Sequence, residues 1–257
     1  ERFVRTYVDV YLKPGTAERY RHQLETIILP GLADEKKDVP PLGDRDYRTI
    51  KRSDVQELHG TMKATPGAAN NMVMVIASLY ARIIEDWQLA PDMRNPAHGC
   101  RLFPIPKRER FLTPEERRRL QTVIETGLKI PAGRRGHLKI QSVWALGLLA
   151  LTGRRRDEIL TLTWPMIDWQ HSMMNLPDTK GGQLKVPVSG RVLALLRHIH
   201  EQAGRPRAGY VLCTDKGTRL TGINGTWYRI RKAADLMDVR LHDLRHSFAS
   251  DALMSGV

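Results

Sequence analysis

The sequence predicts a mainly α-helical protein with a small antiparallel β-sheet, divided into two domains. Three observations predict it. Apolar residues recur at helical spacing through most of the 257 residues, and the period drops to two only between Met166 and Val188. A stretch rich in proline and charge, without any period, parts the two helical halves. The boundaries read as a helical domain at 1–104, a basic linker at 105–110 and an α+β domain at 111–257.

Charge narrows the partner. Lys and Arg number 41 against 28 Asp and Glu, a net charge of +13, and the basic residues are spread along the whole chain. That balance favours nucleic acid over a membrane surface. Cys100 and Cys213 are too few for a disulfide framework or a zinc site, which points to a reducing, cytoplasmic setting. No run of apolar residues reads as a membrane span. The first residue is Glu1, so the sequence reads as an excerpt of a longer one.

In the first half, Arg2 to Tyr11 is a short amphipathic stretch closed by Lys13-Pro14-Gly15. Thr16 is a candidate N-cap for a helix carrying Tyr20, Leu24, Ile27 and Ile28, stopped by Pro30-Gly31. Residues 33–48 are polar and read as loop. Ser53 and Gln56 have the spacing of a capping box for a helix running to about Met62. After Pro66-Gly67, Met72, Val73, Ile76, Leu79, Tyr80, Ile83, Ile84 and Trp87 share one helical face and read as core. Lys63, Asn70 and Asn71 stand near the start of that helix, where they are candidates to meet a DNA backbone or base edges, although solvated surface residues fit the same pattern. From Pro91 to Arg110 the prolines and the run Lys107-Arg108-Glu109-Arg110 read as linker, with Lys107, Arg108 and Arg110 placed to lie along phosphates.

In the second half, Thr113-Pro114-Glu115-Glu116 combines an N-cap, a proline at N1 and a capping-box glutamate. Residues 127–136 read as loop. A buried helix over 138–151 then ends at Gly153, which takes the left-handed conformation without a Cβ penalty. Beyond it lies Thr152-Gly153-Arg154-Arg155-Arg156-Asp157-Glu158, with Arg155 and Glu158 three apart on one face. Alone, that cluster reads equally as a self-paired helix start or as a seat for an anion. Strands follow in 166–188, joined by a Gly181-Gly182 hairpin with Lys180 just before the turn and Lys185 as its competitor. A helix over 191–200 leaves His198 and His200 at the surface, and another covers 227–236. Last comes Leu241-His242-Asp243-Leu244-Arg245-His246, with His242 and Arg245 on one face of a helix start.

Thr-Gly-x-Arg-x-x-Glu, a hairpin lysine and His-x-x-Arg-His, in this order and at these distances, resemble the tyrosine recombinase (phage integrase) family from about Phe111 to the chain end. The first half resembles that family's helical core-binding domain less distinctively. The resemblance implies catalytic roles for Arg155, Lys180, His242 and Arg245, with Glu158 and His246 supporting. Arg154 and Arg156 stand where the family more often carries apolar residues, and are candidate contacts to neighbouring phosphates. It also implies a homotetramer on DNA, a 3′-phosphotyrosyl intermediate, and neither metal nor cofactor. Two guanidiniums fit this chemistry, because their rigid forks hold non-bridging phosphate oxygens where negative charge builds up. The family's tyrosine nucleophile follows the His-x-x-Arg motif by a few dozen residues, beyond Val257. As written, the chain is therefore expected to bind DNA without cleaving it. A non-catalytic DNA-binding protein on the same fold and a type IB topoisomerase are the competing expectations.

Overall fold

The computed structural model describes residues 1–31, 33–34, 37–38, 41–106, 110–179, 182–245 and 247, and only the backbone at 33–34, 37–38, 177–179 and 182–183. The chain forms two compact units, Glu1–Lys107 and Arg108–Val257.

The first unit is built on four helices. Helix α1 spans residues 2–11, with a π-helical stretch at Val4–Val8. Helix α2 runs over 14–28; it begins at Pro14, not behind Thr16, because the ring of Pro14 is already set for the N1 position. Within 33–48, read as loop, Ala33–Asp34 (β1) and Lys37–Asp38 (β2) pair as a minimal antiparallel ladder, and Tyr47–Thr49 forms a 3-10 turn.

Helix α3 (Arg52–Thr61) starts one residue before the expected Ser53 cap. The Asp54 carboxylate accepts from the Lys51 backbone N–H at 2.7 Å and so satisfies the helix start. Helix α4 (Pro66–Asp86) is 21 residues long and apolar enough, by length and composition, to cross a bilayer, contrary to the sequence reading. Here it is the core helix: Ala69, Met72, Val73, Val75, Ile76, Tyr80 and Ile83 are all buried in one cluster with Val55, Leu58, Leu24 and Ile28. Each large apolar side chain so buried contributes about 1.5–3 kcal/mol.

Residues 91–103, expected to be linker, are packed onto this unit. Asn95 Nδ2 donates to Ala77 O at 2.9 Å, Ala97 is buried, and the Phe103 ring stacks on His59 at 4.2 Å.

The second unit opens on the expected capping box. Glu116 N donates to Thr113 Oγ1 at 3.2 Å, and Thr113 N donates to Glu116 Oε2 at 2.8 Å. Helix α5 (Pro114–Lys129) continues through Gly127, past its expected end, because Leu138 packs directly over that glycine. Helix α6 (Ile140–Thr152) is the buried helix, and α7 (Arg156–Leu160) is a short one. Strands β3 (Ile167–Asp168), β4 (Met173–Thr179) and β5 (Gly182–Pro187) form an antiparallel sheet in sequence order. Helices α8 (Gly190–Gln202) and α9 (Ile223–Ala233) follow.

Ala145, Leu148 and Leu149 of α6 share a core with Met174, Leu176 and Val186 of the sheet and Leu196 and Ile199 of α8. Leu146, from the opposite side of α6, packs with Leu120, Trp227 and Ile230. The helix that ends at Gly153 is thus gripped on both sides. His200, read as a surface residue, is half-buried, with its ring 4.6 Å from Trp164 and 5.4 Å from Trp169, and Nε2 is 3.0 Å from Pro206 O.

Candidate active site

Gly153 ends α6 at φ 58°, in the left-handed region. The preceding Thr152 turns its hydroxyl back to Leu148 O at 2.6 Å, and the same oxygen accepts from Arg154 N at 3.3 Å. The chain is thereby turned sharply before α7 begins, with Arg154 and Arg155 on the turn and Arg156 as the first residue of α7. Arg155 caps α7 in an extended conformation. Glu158, one turn in, accepts from Arg155 N at 3.0 Å and from Arg155 Nη1 at 2.8 Å.

The second cluster reaches the first through Arg245. Arg245 Nη1 donates to Gly153 O at 2.8 Å, across 92 residues. Its own helical turn is fixed from below: Ser247 Oγ donates to Asp243 O at 3.0 Å and accepts from Leu112 N at 2.9 Å. Leu244 supplies the buried side.

Between these pieces lies a cleft of about 250 Å³ lined by Arg154, Arg156, Asp157, Asn224, His242 and Arg245, with Leu149 and Leu241 at its apolar wall. Burial, followed by the positive charges of Arg154 and Arg155, holds the Arg245 guanidinium below its ordinary pKa, and Glu158 opposes them. A guanidinium stays charged regardless, so an anion in the cleft would relieve the repulsion among these arginines. Burial raises the Glu158 pKa, but the hydrogen bonds and charge of Arg155 outweigh it and hold the carboxyl below its usual range.

Arg155 itself does not line the cleft. Its Nη1 is held by Glu158, and half of its side chain is exposed. Arg156 is paired with Asp157 at 3.2 Å, and Asp157 also meets Arg219 at 3.6 Å. Asn224, on the first turn of α9, is a lining residue that sequence reasoning missed. The helix was expected to start at Trp227, which left Asn224 in a loop. Lys180, His246, Lys107 and Arg108 lie outside the described residues.

Two expected DNA contacts have other partners. Asn70 Oδ1 accepts from Phe103 N at 3.0 Å and lies 2.9 Å from His59 Nε2, while its Nδ2 donates to Phe103 O at 2.9 Å. Asn70 thus pairs with the chain at Phe103 as a strand would. Arg110 is gripped by Glu116 at 2.6 Å and Asp238 at 2.7 Å, and its side chain is 21% exposed. It anchors the start of the second unit. Lys63 is exposed and Asn71 half-buried near the turn between α3 and α4.

Known proteins resemble this chain in sequence and in fold. The model of the phage integrase family matches residues 110–257. A putative integrase/recombinase, y4rB, of Sinorhizobium fredii (strain NBRC 101917 / NGR234) is 30% identical over 196 residues, covering 68% of this chain and 61% of that protein. The shufflon-specific DNA recombinase of Escherichia coli is 24% identical over 251 residues, covering 95% of this chain and 60% of its own length. The chain thus spans about three fifths of these two relatives. Among solved structures, a lambda integrase dimer bound to a COC′ core site superposes with a TM-score of 0.71 at 14% identity, covering 99% of this chain and 88% of that one. The Tn1549 transposon integrase in complex with transposon right end DNA gives 0.68 at 17% identity, covering 100% and 87%. These last two show the fold alone; the family match spans more than half of the sequence, and the chain belongs to the phage integrase family of tyrosine recombinases.

Proposed function

We propose that this chain binds duplex DNA through both units and cuts and rejoins it at a specific core site through a 3′-phosphotyrosyl intermediate. The observation that carries this reading is the contact between Arg245 Nη1 and Gly153 O, which brings the second arginine to the turn that presents the first. In the reaction, a tyrosine oxygen attacks the phosphorus, the bond to the 5′ oxygen breaks, and the extra charge falls on the non-bridging oxygens. Arg245 and Arg155 hold those oxygens. Nη1 of Arg155 is held by Glu158, and half of its side chain is exposed. His242 manages the nucleophile's proton or binds the phosphate, and Lys180 protonates the leaving 5′ oxygen. His246 supports the turn. Arg154 and Arg156, which line the cleft, meet neighbouring phosphates, and Lys63, Asn71, Lys107 and Arg108 add contacts along the backbone.

The charge that stabilises the transition state comes from side chains, so the reaction proceeds without a metal or other cofactor. The nucleophile is neither Tyr210 nor Tyr228. Both precede the His242–Arg245 cluster, whereas the family's nucleophile follows it. On this reading the tyrosine therefore lies outside this sequence, with the 257 residues alone binding DNA without cutting it. Lambda integrase has been solved as a tetramer on a Holliday junction, which supports a homotetramer here. The two free cysteines support a reducing, cytoplasmic setting.

The test is a covalent-adduct assay: protein carrying its natural C-terminus, a nicked core-site duplex, EDTA and a denaturing gel. A metal-independent adduct that vanishes in Arg155→Ala and Arg245→Ala supports the reading. Intact binding without an adduct replaces it with a non-catalytic DNA-binding protein on the recombinase fold.

A further inference from the structure

The short segment that carries His242 and Arg245 is held at both ends, and residues at the start of the same unit take part in both holds. Near its beginning, Arg231 of α9 donates Nη1 to Met237 O at 3.1 Å and to Val239 O at 2.9 Å. Arg110 Nε donates to Asp238 Oδ2 at 2.7 Å. At its end, Leu112 N donates to the Ser247 hydroxyl at 2.9 Å, and that hydroxyl donates onward to Asp243 O at 3.0 Å. Residues 110 and 112 thus grip positions 238 and 247, and His242 and Arg245 lie between the two grips.

The footing of this clamp is itself fixed. The Glu116 carboxylate accepts from Arg110 Nη1 at 3.0 Å, from Arg110 Nη2 at 2.6 Å and from Thr113 N at 2.8 Å. Leu112 stands between those two anchored residues, and its side chain is buried in one cluster with Val239 and Leu244. Its N–H is therefore set in place before Ser247 meets it. Ser247 and Asp243 are 5% and 3% exposed, and the Asp243 carboxylate accepts from Arg240 N at 2.8 Å. A buried network of partnered groups makes rigid whatever it holds.

The turn needs such a brace. Its own backbone bonds run from Asp243 N to Arg240 O, from Leu244 N to Leu241 O and from Arg245 N to His242 O, at 3.0, 3.4 and 3.1 Å. These are three-residue bonds of the 3-10 kind, with poorer geometry than those of an α-helix. Burial, and then the charges of Arg154 and Arg155, work against the charged Arg245 guanidinium. Nη1 nevertheless stays on Gly153 O at 2.8 Å.

We propose that Ser247 is a positioning residue for the reaction: its hydroxyl, clamped between Leu112 N and Asp243 O, sets where Arg245 meets the phosphate, and Arg110 with Asp238 fixes the other end of the same segment. The inference rests on the recombinase reading above. Ser247 is buried and does not line the cleft, so it acts through the backbone of residues 243–245. Small shifts matter here, because a reacting group misplaced by about 1 Å costs about 100-fold in rate.

The experiment measures the rate of covalent-adduct formation on a nicked core-site duplex at rising protein concentration, with protein carrying its natural C-terminus. Wild type is compared with Ser247→Ala, Ser247→Thr and Asp238→Asn, each checked for a cooperative melting curve. Ser247→Ala is expected to lower the rate at saturating protein about 10-fold or more, with the half-saturating concentration unchanged. Ser247→Thr, which restores the hydroxyl, should recover the rate. Asp238→Asn, at a side chain 58% exposed, should lower the saturated rate several-fold in the same way. A wild-type rate in Ser247→Ala overturns the assignment, as does a loss that Ser247→Thr fails to recover or one that affinity follows in step. Should Ser247→Ala not fold, a wild-type rate in Asp238→Asn overturns the clamp. Absence of any adduct from the wild-type protein, with binding to the duplex intact, would instead remove the recombinase reading itself, so the two failures are told apart.

Discussion

The guanidinium of Arg245 donates to the carbonyl oxygen of Gly153 at 2.8 Å, which ties together two motifs 92 positions apart. The carbonyl is available because Gly153 leaves the helix at φ 58° and turns its peptide away from the α6 ladder. Arg245→Ala should therefore remove a phosphate donor and the link between the motifs together. Adduct formation is expected to fall at least about 100-fold, the effect of losing one transition-state donor, while duplex affinity changes only a few-fold. Adduct yields near wild type would show that the scissile phosphate is held elsewhere.

Gly153→Ala tests the turn itself. An alanine Cβ in the left-handed region costs about 1–2 kcal/mol, and the displaced carbonyl would loosen Arg245. A denaturant midpoint lowered to that extent, with a parallel loss of adduct, is expected. Unchanged stability would mean that the turn relaxes without strain.

The end of α6 was legible in the sequence because its signals are local: an apolar run, a glycine, then charge. The Thr113–Glu116 box and the hairpin strands were legible for the same reason. Asn70 was not, since the group it holds, Phe103, is 33 residues away, and nothing near Asn70 distinguishes a base-reading amide from a structural one. Arg110 was read as a phosphate contact, and its partner Asp238, 128 residues on, is invisible from the linker. The helix starts at Pro14 and Arg52 were missed by three and two residues, where several capping groups compete within one turn. In the candidate site, the arginine motifs were readable, but Asn224 joins them only through the packing of α9.

Asn70→Ala separates its two readings. Loss of the amide leaves Phe103 N and O and His59 without their partner, which should cost about 1–3 kcal/mol. Melting of the first unit is expected to shift down while the salt slope of DNA binding stays unchanged. A flatter slope at unchanged stability would return Asn70 to the DNA interface.

Acid should loosen the anchor at the start of the second unit. The hydrogen bond from Arg110 holds the Glu116 carboxyl down to about 2, from an ordinary value of 4.5. Its folded pKa lies below its unfolded one, so its contribution to stability is complete above about pH 4.5 and is lost as pH falls toward about 2. Glu158, also held below 4.5, loses its contribution in the same direction. Glu116→Gln should reduce stability near neutral pH by about 1–2 kcal/mol and flatten the acid limb of the stability curve. An acid limb identical to wild type would show that Glu116 titrates as an ordinary carboxylate and that Arg110 is not anchored by it.

The division of labour among the three consecutive arginines is open to a direct comparison. Arg154 lines the cleft, whereas Arg155 is buttressed by Glu158 at 2.8 Å and does not line it. If Arg155 holds the reacting phosphate, Arg155→Gln should abolish the adduct and leave the salt slope almost intact. Glu158→Gln should lower the adduct partially, since the guanidinium loses its brace and keeps its charge. Arg154→Gln should weaken binding with a flatter slope and leave adduct formation measurable at saturating protein. The opposite pattern, with the adduct lost in Arg154→Gln and kept in Arg155→Gln, would move the catalytic role one residue earlier and make Arg155 a positioning residue for the turn.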